Sequence, residues 1–268
     1  MTARALASVL LVYLLVLSPS FLLLRAIPWL PRSVDPWFLV FAVQVAFFLI
    51  AAWLLRLPRA VVAGDGVTAA GARAVFWLLS GEVLFALLGA VTVISTSDAG
   101  AVGFTVANGV RGLTRDFPHS GLAGGMLVKV VLGPAFEEFV FRVFLLGFLL
   151  RPVRPWLALL ISTAVFASVH SSWLYAEFGG LVYGLLYLRY RNVWLCIVAH
   201  AANNLIVSTG APILVAHLHE LGVLSPVREN LLALQLSWAV VVLACFAMFL
   251  ACLLRNDNER HRAWARSG

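Results

Sequence analysis

The chain has 268 residues, 62% of them hydrophobic and 12% charged, with a mean hydropathy of +0.98 and a formal net charge of +7. So little polar material excludes a water-soluble globule of this length and predicts an all-α, polytopic membrane bundle. The positive charge fits loops that lie against anionic headgroups; no basic helix or aromatic–basic surface stands apart to bind nucleic acid.

Apolar runs long enough to cross about 30 Å of hydrocarbon predict about eight transmembrane helices. They lie at Ala5–Leu24, Trp37–Leu55, Val75–Ser95, Leu122–Leu150, Trp156–His170, Tyr175–Tyr190, Val193–Ser208 and Leu231–Leu254. The first is read as a retained span, since Leu24-Arg25-Ala26-Ile27-Pro28 offers no small-x-small cleavage site. With the N-terminus in the cytoplasm, the inside segments hold twelve of the 19 basic residues and the outside segments five. The excess of arginine then predicts both termini inside. Cys196, Cys245 and Cys252 all fall in spans, so neither a disulfide framework nor a cysteine zinc site is indicated. No repeat and no long linker divides the chain. The prediction is a single membrane domain over residues 1–268, with a core at about 122–208 and a flexible cytoplasmic tail at 255–268.

The fourth run carries Glu137-Glu138-Phe139-Val140-Phe141-Arg142. A charge at bilayer depth costs about 2.5 kcal/mol or more, so three together need a reason. Glu138 and Arg142 are i,i+4 on a helix and can neutralise each other. Glu137 points about 100° away around the same helix and is left over as a carboxylate available for general-base chemistry. Further polar residues follow at helical spacing: Phe166 with His170, and His200 with Asn203 and Asn204. Singly, each has an ordinary structural reading: an interfacial histidine, an interhelical asparagine, an ion pair joining two helices. Helix rise places Glu137, His170 and Asn204 at a common depth of about 20–24 Å from the cytoplasmic helix ends, with His200 one turn nearer. A kink is expected at Gly133-Pro134, just before the glutamates.

The ordered set Glu137-Glu138-x-x-x-Arg142, Phe166-x-x-x-His170 and His200-x-x-x-Asn204 resembles the CAAX prenyl protease and bacteriocin-processing family of intramembrane endopeptidases. Flanking features agree: Gly133-Pro134 before the glutamates, Gly180-x-x-x-Gly184, and the run from Leu188 to His200. Val143 departs from the pattern, because a glycine commonly follows the motif arginine. The likeness covers about Leu122–Ser208. It implies a polytopic membrane protease in which Glu137, with His170, activates a water, while His200 and Asn204 donate hydrogen bonds to the oxyanion. Glu138 and Arg142 are implied as supporting residues.

The resemblance leaves metal dependence open. No cofactor is firmly implied, yet Glu137, His170 and His200 could ligate Zn²⁺ with a fourth position open. The zincin pattern His-Glu-x-x-His is absent. Two other classes remain: a transporter, against which stands the lack of a repeat or a second broken helix, and a non-catalytic membrane scaffold or immunity protein. The expected partners are the lipid bilayer and a membrane-anchored protein or peptide substrate. With no organelle signal visible, the expected location is a bacterial inner membrane.

Overall fold

The computed structural model describes residues 42–43, 45–46, 68–96, 121–170, 173–210, 213–214, 217, 221 and 231–254, and among them every regular element is helical. The predicted spans at 5–24 and 37–55 lie outside these residues, apart from four helical positions in the second, as does the predicted tail at 255–268. The other six predicted spans fall on described helices. Two helices are long and apolar enough to cross a membrane, at Ala69–Leu88 and Gln235–Leu254, and two shorter ones are also apolar, at Pro155–Ser168 and Val193–Leu205. The described residues divide into two compact units.

One unit contains α1 (Ala69–Thr96) and the last described helix, α8 (Leu231–Leu254). Thr68 precedes α1, and its hydroxyl accepts from the Gly71 N–H, capping one orphan donor of the first turn. The two helices run along each other. Gly81 lets Cys245 and Phe246 approach closely, and the Gln235 amide donates to the Thr92 hydroxyl at 3.1 Å. In an apolar medium, such small residues and side-chain hydrogen bonds supply what hydrophobic burial supplies in water.

The other unit carries the motif residues up to Ala201. From Gly121 the chain of this unit is continuously helical but wound unevenly: α2 (Gly121–Met126), a π-wound segment (Leu127–Leu132), α3 (Gly133–Glu138), a second π-wound segment (Phe139–Leu146) and α4 (Gly147–Leu149). Pro134 has no N–H to give the ladder, and it sits where the π-wound segment passes into α3. The Gly133 N–H reaches back five residues to the Val128 carbonyl. The sequence signal at Gly133-Pro134 thus marks a change of winding, and π-winding of this kind often accompanies functional sites.

Three further described helices follow, α5 (Pro155–Ser168), α6 (Trp173–Tyr190) and α7 (Val193–Leu205), with π-wound Ile206–Gly210 after them; this unit ends at Ala201, within α7. The Ser162 hydroxyl donates to the Phe141 carbonyl at 3.0 Å, and the Phe141 and Phe166 rings meet edge to face, so α5 is tied to the second π-wound segment. α6 packs on α5 through Gly180 and Gly184. A Cβ at Gly180 would lie 3.2 Å from Thr163 Cγ2 and 3.3 Å from Phe166 Cδ1, and one at Gly184 would overlap the Leu159 side chain. The turn into α7 uses Arg191 at φ 49°, after which the Asn192 side chain accepts from the Trp194 and Leu195 N–H groups and caps α7.

In the middle of this unit lies a fully buried ion pair. Arg142 Nε donates to Glu138 Oε2 at 2.8 Å, and both side chains are 0% exposed. The i,i+4 pairing expected from the sequence is present.

Two stability outcomes follow. Gly180→Leu should lower stability by about 1–3 kcal/mol, because Thr163 and Phe166 enclose the new side chain, whereas Gly184→Ala should cost less, since the end of Leu159 can swing aside. Thermal unfolding midpoints in detergent would rank them. Glu138→Leu should cost about 3–5 kcal/mol by leaving Arg142 buried without its carboxylate, and Glu138→Leu with Arg142→Met should recover much of that. The same melting assay, with no recovery in the double variant, would show that the ion pair is not what fails.

Candidate active site

Glu137 and Glu138 are neighbours at the end of α3, yet they face different surroundings. Glu138 is sealed in the core, whereas the Glu137 side chain is 30% exposed. About 100° of helix rotation separates consecutive residues, so one carboxylate turns toward Arg142 and the other toward an accessible side. The leftover carboxylate expected from the spacing is therefore Glu137.

His170 lies two residues beyond the end of α5 rather than inside the helix, and its backbone N–H bonds to the Ala167 carbonyl in a tightened final turn. Its ring Nδ1 is 2.7 Å from the Phe166 carbonyl. A carbonyl only accepts, so Nδ1 carries the proton and Nε2 is the nitrogen turned to the site. The ring also rests on Phe166, with centroids 4.4 Å apart. Nε2 stands 3.6 Å from Glu137 Oε2.

His200 comes from α7 and is nearly buried. Its Nδ1 bonds to Glu138 Oε1 at 2.9 Å, and its Nε2 stands 3.7 Å from Glu137 Oε2. Tyr183 of α6 stacks on the ring at 4.9 Å and an interplanar angle of 21°, and the Phe166 edge approaches from another side. Phe166 thereby touches both histidines, and Arg142 lies over its face at 5.1 Å.

Glu137, His170 and His200 are thus brought together, with one carboxylate oxygen facing two imidazole Nε2 atoms. Both separations exceed a hydrogen bond, and both are too short for a water on the line between the atoms, so a water bonded to both would have to sit to one side. Glu138 and Arg142 stand behind them. Asn204 lies one turn beyond His200 along α7, in the part of that helix that groups with the other unit. Sequence spacing did not show that Glu138 holds His200 as well as Arg142: the two residues are 62 positions apart. Tyr183 was also missed, and its only signal was its place inside Gly180-x-x-x-Gly184.

The donor types suit zinc in one respect: each histidine has its Nδ1 anchored by an acceptor, as metal-bound histidines usually do. Among the described residues, however, no three His, Cys, Asp or Glu side chains are gathered closely enough to share a metal ion.

Residues 119–206 match the family model described as type II CAAX prenyl endopeptidase Rce1-like. A protein of Bacillus subtilis (strain 168) with the name "Putative membrane peptidase YdiL" is 33% identical over 83 residues, which cover 30% of this chain and 34% of the relative. The match therefore spans about a third of that relative's length. No solved structure matches the chain. The stretch that holds Glu137, His170, His200 and Asn204 is thus an Rce1-like segment, in agreement with the family resemblance of its motifs.

Proposed function

We propose that this protein is an intramembrane endopeptidase that hydrolyses a peptide bond in a membrane-anchored or membrane-associated protein or peptide. One observation carries the reading: Glu137 Oε2 and His170 Nε2 face each other at 3.6 Å, both side chains about 30% exposed, beside the nearly buried His200. The family match adds a protease context.

In this reading a water sits beside the Glu137–His170 pair, within hydrogen-bond reach of both Oε2 and Nε2. Glu137 accepts its proton as the oxygen attacks the scissile carbonyl, then returns that proton to the leaving amine. His170, with its proton committed to the Phe166 carbonyl, offers the Nε2 lone pair to orient the water. The family resemblance assigns His200 and Asn204 as donors to the developing oxyanion, where one well-placed donor typically contributes about 10²–10³ in rate. The site works inside a single membrane domain of about eight spans with both termini cytoplasmic, in a bacterial inner membrane, and opens toward the outer half of the bilayer.

Glu137→Gln keeps the side-chain volume and removes the base. The variant should insert and purify like the wild type and lose at least about 10²-fold in turnover of a membrane-embedded peptide. Turnover close to wild type in Glu137→Gln would remove Glu137 as the base.

The anchored Nδ1 atoms of both histidines fit a second reading, in which Glu137, His170 and His200 would hold zinc only by drawing closer than they stand here. The zinc would supply Lewis-acid polarisation of the carbonyl. Treatment with 1,10-phenanthroline followed by its removal separates the readings. The metal-free reading expects activity to survive, and parallel loss of stoichiometric zinc and activity establishes the zinc one.

A further inference from the structure

We propose that Glu138 is a positioning residue that fixes which nitrogen of His200 carries the proton. Its two oxygens have different partners and neither is spare: Oε2 accepts from Arg142 Nε at 2.8 Å, and Oε1 meets His200 Nδ1 at 2.9 Å. Arg142 can only donate, so the carboxylate is an acceptor on that side, and an ionised carboxylate is an acceptor on the other side too. The His200 proton therefore sits on Nδ1, and Nε2 faces Glu137. The ring cannot turn to exchange the two nitrogens, because Tyr183 stacks on its face and Phe166 closes on it edge to face.

Arg142 holds this arrangement from behind. Among the described residues its Nη1 and Nη2 have no hydrogen-bond partner, so its position rests on Glu138 and the Phe166 face. The unit Arg142–Glu138–His200 thus joins the motif helix to α7, and Phe166 joins both to α5. One consequence bears on the chemistry. With Nδ1–H committed to Glu138, His200 can donate from Nε2 to an oxyanion only when the ring carries both protons. In the neutral ring, Nε2 is an acceptor.

Glu138→Gln tests this because its outcome is forced by the partners. Arg142 Nε requires the amide oxygen, so the amide NH₂ must face His200 Nδ1. A donor there makes Nδ1 an acceptor and moves the proton to Nε2. The full chain, labelled with ¹⁵N-histidine in lipid vesicles, reports the tautomer by solid-state NMR, with His200 assigned by difference from His200→Gln. The wild type should show the proton on Nδ1 and Glu138→Gln should show it on Nε2. The kinetic arm rests on the peptidase reading: the variant ring offers Nε2–H only as a neutral donor, without the charge that the Glu138 carboxylate balances, so kcat should fall by about tenfold with KM within about threefold. A wild-type His200 with its proton on Nε2 overturns the proposal even if the variant fails to fold. So does a Glu138→Gln protein with unchanged tautomer and unchanged kcat. If the tautomer switches but the wild type cleaves no peptide, the positioning role stands and the peptidase reading falls.

Discussion

A guanidinium with no water around it is the constraint on which this unit depends. Arg142 is fully buried, and removing an ion from water costs several kcal/mol unless geometry and further hydrogen bonds compensate. Here the compensation is spread over three elements. The carboxylate comes from the preceding turn, the aromatic face from α5, and the second oxygen of that carboxylate is itself occupied by a ring from α7. A pair that only neutralised itself could slide with its helix. This one cannot move without disturbing Phe166 and His200. The site's rigidity comes from that shared dependence.

The surrounding backbone is fitted to the same end. Gly180 and Gly184 bring α6 against α5, placing Thr163 and Phe166 within van der Waals reach of the α6 backbone. Arg191 in the left-handed region and Asn192 as a cap then send α7 back along α6, where the Cys196 thiol lies 3.4 Å from the Tyr183 carbonyl and Tyr183 covers His200. Small residues, a tight turn and a cap therefore act on chemistry indirectly, by setting the height at which one imidazole meets one carboxylate.

Much of this was legible in the sequence, and the limits have physical causes. The Glu138–Arg142 pair and the spare Glu137 follow from helix periodicity alone, a local property. The convergence of Glu137, His170 and His200 was suggested only by their common depth and by the family motifs; it depends on packing that spacing does not encode. Helical arithmetic also put His170 inside its helix. The chain leaves the helix at Ser168, and the imidazole instead satisfies a carbonyl of the last turn, an outcome governed by an orphan acceptor rather than by period. The Glu138–His200 bond was beyond reach, since nothing at position 138 announces a partner 62 residues away. At Gly133-Pro134, where the sequence predicts a kink, the winding changes to π on either side of a short α-turn, and a missing N–H can be absorbed by such a longer hydrogen-bond register.

Two adjacent glutamates with the same chemistry thus have different surroundings, and what separates them is rotation about one helix. The residue turned inward meets two fixed donors and has no freedom left; it is suited to holding other groups still. The residue turned outward keeps part of its surface open and faces two imidazole nitrogens at distances too long for direct bonds. General-base chemistry needs that second condition, because a carboxylate already saturated by donors has no lone pair free for a water. The inward partner takes up the arginine and bonds the second histidine, leaving Glu137 open on the side where the rings converge. An Asp at position 138 would be one methylene shorter and could not span both donors without drawing Arg142 or His200 out of place. The longer side chain at this position is therefore a geometric requirement of the site as well as a matter of charge.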